Sequence, residues 1–176
     1  RSPSAASAVP DEPQASTTST LPTPFTLAQL QAGWVPGVTV RFHLEAGAQP
    51  ATLHEWEVVS TSSPDTVATA ITVLAEDGTT VLVPRTVRTM PYEDFRLLSA
   101  FPSTRATVEQ ARVETPAGTQ PGRRYRVRSA EVPDQVQLYE FADALAGPPV
   151  LIETRDAGTL TQRMRMVSRT PGSALQ

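Results

Sequence analysis

The two histidines, His43 and His54, lie on adjacent predicted strands, with Glu45, Glu55 and Glu57 nearby. Strand phase lets both imidazoles project from one face, which raises a metal site as the first chemistry to consider. Such a site needs ligands converging at about 2 Å, commonly three or four of them. Alternation puts His54 in phase with Trp56 and turns Glu55 and Glu57 to the opposite face, so the candidate ligands scatter. Surface or rim histidines are the expected reading, with no metal and no cofactor. For nucleophilic catalysis the chain offers no cysteine and no GxSxG elbow, and neither histidine has a motif-like Ser and Asp context. The carboxylates of EDG, YEDF and EVPD fall at turns or helix starts, where capping and solvation account for them. There is no P-loop and no GxGxxG. A non-enzymatic protein is expected.

Two groups of side chains suit binding instead. Arginines cluster as Arg123, Arg124, Arg126 and Arg128 on one predicted strand and Arg163, Arg165 and Arg169 on the last. Alternation sets Arg124, Arg126 and Arg128 against Tyr125 and Val127, and Arg163 and Arg165 against Met164 and Met166. This reads as the solvated outer face of a sheet, paired across strands with glutamates such as Glu114, Glu140 and Glu153. Recognition of anionic headgroups or of a partner is the sharper alternative. The opposite, inward set is Trp56, Val58, Ile71, Val73, Tyr125, Leu138, Ile152, Met164 and Met166. An aromatic and methionine-rich concavity accommodates varied apolar ligands, because methionine repacks easily. A packed core is the commoner use of such residues.

The elements that must position these residues are mostly strands. Thr26 caps a short predicted helix, LAQLQAGW, with Leu27, Leu30 and Trp34 at helical spacing. In VTVRFHLEAG, Val38, Val40, Phe42 and Leu44 alternate with Thr39, Arg41, His43 and Glu45. ATLHEWEVVST follows, then TVATAITVLAEDG and TTVLVPRTVRT, joined at Glu76-Asp77-Gly78. Pro84 marks the fourth strand as an edge or a bulge. PYEDFRLLSAFP reads as a second short helix, with Phe95, Leu98 and Tyr92 on one face. Strands resume through TRATVEQARVETPAG, RRYRVRSAEV and QVQLYEFA, and PPVLIETRDAGTLTQRMRMVSR turns at Asp156-Ala157-Gly158. Eight or nine short strands without a βαβ period point to an antiparallel meander curled over its own apolar face, and a β-sandwich is the competing arrangement.

Composition bounds the class. The 176 residues suit one domain, and a net charge of −3 gives no reason to expect nucleic acid. No apolar run is long enough to span a membrane as a helix. Lysine, asparagine and cysteine are all missing, and the 15 basic residues are arginine, as in a protein from a high-GC bacterial genome. Residues 1–24 are Ser/Thr/Ala/Pro-rich and read as a disordered tether, the kind that follows a signal peptide or a lipidated cysteine lying before Arg1. The domain is then expected over 25–171, with a C-terminal tail at 172–176.

The run from ARVETPAG through RRYRV and QLYEFADALAGPPVLIETRDAG to LTQRMRMV resembles the C-terminal half of LolA-like envelope lipoproteins. Val113, Thr115, Pro116, Ala117, Gly118, Thr119 and Tyr125 match the family's strand-and-turn pattern. Tyr139, Phe141, Leu145, Gly147, Pro148 and Val150 stand where its aromatic strand and corner fall. Two departures are Gln120-Pro121-Gly122 in place of an aromatic-led stretch and a corner that reads Ala-Gly-Pro. The resemblance implies a half-open β-barrel, a clam whose concave face holds acyl chains or another apolar partner under helical flaps, and it brings no catalytic residues. The resulting expectation is one strongly curved antiparallel sheet with one or two short helices on its concave side. In function, it would be a periplasmic or outer-membrane-tethered protein that binds or carries a lipid or other hydrophobic ligand. The alternative is a structural or adaptor subunit that docks onto a cell-envelope complex.

Overall fold

The computed structural model describes residues 18–172. Residues 1–17 of the tether expected over 1–24, and residues 173–176 of the tail expected over 172–176, lie outside the described residues. Residues 18–24, assigned above to the tether, are part of the folded unit. Thr20 bridges Pro102, and the Leu21 amide donates to the Phe101 carbonyl. The Pro22 carbonyl accepts the Tyr125 hydroxyl at 2.7 Å. Composition hid this because the anchoring here is mostly by backbone groups, which carry no side-chain signature.

Among the described residues nine strands form one antiparallel sheet: β1 (Thr39–Ala46), β2 (Thr52–Val59), β3 (Thr66–Ala75), β4 (Val81–Pro91), β5 (Ala106–Thr115), β6 (Gly118–Arg128), β7 (Gln135–Ala142), β8 (Leu151–Asp156) and β9 (Thr159–Thr170). Their order is β4-β3-β2-β1-β9-β8-β7-β6-β5, so two meanders join where β9 returns to pair with β1. The sheet is curved and does not close, which leaves β4 and β5 as its edges. One sheet replaces the two that a sandwich would need.

Two short helices complete the fold. In α1 (Leu27–Gly33), the Thr26 hydroxyl accepts the Gln29 amide and the Gln29 side chain accepts the Thr26 amide, a reciprocal cap that sets where the helix begins. The second helix, α2 (Tyr92–Leu97), starts directly behind Pro91. Its Tyr92 is buried, whereas Leu98, expected on the same inner face, follows the last turn and is 66% exposed.

The core lies on the concave face. Val40 and Phe42 of β1, Val58 of β2, Tyr125 and Val127 of β6, Phe141 of β7 and Met166 of β9 are buried there with Leu30 and Trp34. Trp34 stacks on Phe95 of α2 at 6.0 Å, and its carbonyl accepts the buried Tyr92 hydroxyl at 2.8 Å. Phe101 lies 5.2 Å from Tyr125 and 4.8 Å from Tyr139, while Phe25 meets Phe141 edge-on at 6.1 Å. Helix and loop aromatics therefore fill much of the hollow that curvature creates.

Candidate functional site

Register fixes which of the expected inward residues meet. Val40 faces Trp56, and Trp56 faces Ile71. Val73 lies opposite His54, which lies opposite Phe42; Phe42 in turn faces Met166, and Leu44 faces Met164. Ile152 lies opposite both Met164 and Tyr139, and Tyr139 lies opposite Tyr125. Trp56, Val58, Ile71, Val73, Tyr125, Ile152, Met164 and Met166 thus share the concave face. Leu138 does not. It faces Arg126 and Glu153, because β7 turns Tyr139 and Phe141 inward and period-two alternation sends Leu138 out. Burying two aromatic rings removes more apolar area from water than burying one leucine, which selects this phase.

The shared wall has two parts. Val58, Tyr125 and Met166 are 1%, 0% and 3% exposed and belong to the packed floor. Trp56, Ile71, Val73 and Met164 are half-buried. Trp56 meets Phe42 edge-on at 5.0 Å, and its buried indole N–H has no acceptor among the described residues.

The histidines part company. Phe42 pairs with His54 and His43 with Leu53, so the two imidazoles take opposite faces instead of the common face that strand phase allowed. His43 approaches Glu45 and Glu76 at 3.9 and 3.8 Å, and burial lowers the pKa of His54. Among the described residues no three His, Cys, Asp or Glu side chains gather as a metal site.

On the convex face, Arg124 bridges Glu140 and Glu109 at 3.0 and 3.2 Å, and Arg163 and Arg155 hold Glu153 at 2.9 and 3.2 Å. Glu140 and Glu153 are each only 7% exposed, so these arginines chiefly serve the sheet. Glu114 departs from the expected pairing and accepts the Thr119 hydroxyl. Arg169 departs further. Between β1 and β9 the register shifts, so that Arg41 faces Ser168 while Phe42 faces Met166, leaving Val167 as an extra residue. A bulge of this kind reverses the facing of everything beyond it. Arg169 consequently lies opposite Val40 on the concave side, with its guanidinium 5.6 Å over the Trp34 ring. No sequence motif marks the bulge.

The sheet edges differ in character. Along β5 the exposed side chains include Glu109, Arg112 and Glu114, charges that discourage further strand pairing. Along β4 the exposed side chains include Val81, Leu82, Val83 and Val87, at 46–56%, together with Arg85 and Arg88. Pro84 does mark both an edge and a bulge: between the Ile71–Thr86 and Val73–Val83 pairs, two β4 residues oppose one on β3. Thr86–Met90 pairs regularly with β3, and no strand among the described residues pairs with its outer side.

No family model and no curated protein sequence matches this chain. Solved structures that share its fold include three of MucB. The complex structure of Pseudomonas aeruginosa MucA/MucB matches with TM-score 0.56 and 14% identity over 85% of this chain and 57% of that chain. MucB in complex with MucA(peri) gives 0.55 and 15% over 85% and 56%, and MucB alone gives 0.51 and 13% over 85% and 58%. The chain spans less than two thirds of the length of these neighbours, and at such identity the likeness is one of fold.

Proposed function

We propose that this chain is a non-catalytic docking module of the cell envelope, acting in the periplasm, whose apolar edge strand β4 receives an extended segment of a partner protein. One observation carries the reading: Val81, Leu82, Val83 and Val87 stand 46–56% exposed, beside Arg85 and Arg88, on an edge that pairs with no further strand among the described residues, whereas β5 exposes Val108 alone of its large apolar side chains. Exposed apolar side chains flanking open backbone groups provide both parts of strand addition, hydrogen bonds for affinity and side-chain contacts for selection. Two of the fold neighbours being complexes of MucB with MucA supports a protein partner over a free ligand. The test is a Val83→Lys/Val87→Lys variant of the full chain. Both sites are exposed, so stability should change by no more than about 0.5 kcal/mol per site. A protein that co-purifies with the wild type should be lost from the variant; its retention at the wild-type level refutes the reading.

A second reading is the binding or carriage of a lipid or other hydrophobic ligand, with the chain tethered through a lipidated cysteine before Arg1. The half-buried group Trp56, Ile71, Val73 and Met164 favours it, together with the free indole N–H of Trp56. Val58, Tyr125 and Met166 would then form the floor beneath the ligand. Lipid retained in native mass spectra of the wild type but lost from a Trp56→Ala/Met164→Ala variant would favour this reading over docking at β4.

A further inference from the structure

We infer that the groove between α1, the loop after β7 and the end of β9 binds a single-chain anionic amphiphile, whose anionic oxygens neutralise Arg169. The groove measures about 640 Å³, and Val35, Val38, Leu145, Ala32 and Pro171 provide its apolar lining. Arg169 also lines it. Nη2 of Arg169 donates to the Gly33 carbonyl at 3.1 Å and to the Ala146 carbonyl at 2.8 Å, while Nη1 is buried without an acceptor among the described residues. Among the described residues its hydrogen-bond partners are both neutral carbonyls, and no carboxylate pairs with it. Burial of the guanidinium lowers its pKa, in keeping with a cation partly stripped of water and given no counter-charge. A buried charge of this kind is costly unless an anion meets it.

Clamping the end of α1 to the loop explains the two Nη2 bonds, and the same clamp needs neither Nη1 nor a full positive charge. The surroundings are shaped to hold the guanidinium in place. Gly147, at φ +143°, lies so close that an added Cβ would be 2.8 Å from the Trp34 ring and 3.3 Å from Nη1 of Arg169. Asp143 stands in the lining as an exposed, solvent-screened carboxylate, so the ligand's charge must sit at the Arg169 end. Hydrocarbon walls ending in one fixed cation fit a molecule with an apolar chain and one anionic head better than a free inorganic anion. This site is independent of docking at β4 and shares no residue with it.

The test uses decyl phosphate, inorganic phosphate and decyltrimethylammonium, each below its micelle concentration, with the full chain carrying Trp56→Phe. Trp34 is then the only tryptophan, and it reports directly on Arg169. Decyl phosphate should shift its emission saturably, inorganic phosphate should bind roughly tenfold more weakly or worse, and the ammonium amphiphile should not compete. Arg169→Gln should weaken decyl phosphate binding by roughly tenfold or more. If that variant fails to fold, Ala32→Phe decides: it fills the groove from an exposed wall, leaves Arg169 untouched and should abolish binding. Equal binding of the phosphate and ammonium amphiphiles, equal binding of inorganic phosphate, unaltered binding in Ala32→Phe, or no saturable binding would each overturn the inference.

Discussion

Trp34→Ala should be among the most damaging single substitutions in the domain. The indole is 0% exposed, stacked on Phe95 at 6.0 Å with 17° between the rings, and covered by the Arg169 guanidinium at 5.6 Å. Truncating a buried tryptophan costs about 3–5 kcal/mol, and losing a stacked aromatic neighbour adds about 0.5–1.5 kcal/mol. The Trp34 carbonyl keeps the Tyr92 hydrogen bond, so that contribution should survive. A loss of about 4–6 kcal/mol would consume much of the about 5–15 kcal/mol that holds an ordinary domain together. Urea titration followed by far-UV dichroism measures it, with Leu98→Ala as the control. Leu98 is 66% exposed and its truncation should cost no more than about 0.5 kcal/mol. A Trp34→Ala loss below about 2 kcal/mol at unchanged urea dependence would refute the account of a concavity closed by the helices.

Glu153 is 7% exposed between Arg155 and Arg163, but both arginines are more than a third exposed, so solvent screens the pairs. Glu153→Gln should therefore cost about 1–2 kcal/mol rather than the larger loss of a fully buried pair, and a double-mutant cycle with Arg163→Gln should expose the coupling. Gly147→Ala forces a side chain onto a positive φ and into the Trp34 ring, so its melting temperature should fall well below that of an alanine placed at exposed Gly118. Asp77 accepts the Thr79 and Thr80 amides and the Thr80 hydroxyl, which depresses its pKa from 3.8 to about 2. A depressed carboxylate pKa stabilises above the unfolded value and ceases to do so as pH falls through the folded one. Protection of the β3–β4 turn amides relative to their intrinsic exchange rate should therefore fall between pH 4 and pH 2, and Asp77→Ala should remove that acid dependence.

Strand identity was legible wherever one face had to be buried. The Val38, Val40, Phe42, Leu44 alternation and the turns at Asp77-Gly78 and Ala157-Gly158 all appear in the structure, the last with Ala157 at φ 48° and Gly158 at φ 83°. Pro84 marked its edge because a residue without an amide proton disrupts a central ladder. What escaped was set by long-range pairing. QVQLYEFA supports either phase, and only its neighbours Tyr125 and Ile152 decide that Tyr139 goes in and Leu138 goes out. The bulge at Val167 depends on how β9 meets β1, more than a hundred residues earlier in the chain, so the inward turn of Arg169 has no local signature. The apolar character of β4 was visible as a strand pattern, but its position at the edge, where those side chains remain exposed, followed from the order of the sheet.

Site-specific photo-crosslinking in the source cell tests the docking claim most directly, with the photoreactive residue placed at Val87 on β4 or at Val108 on β5. Both positions are exposed, at 55% and 38%, and they stand on opposite edges of the same sheet. The account predicts one discrete protein adduct at Val87, none at Val108, and loss of the Val87 adduct when Val83→Lys is added. Absence of a protein adduct at Val87, or equal adducts from both edges, would contradict it.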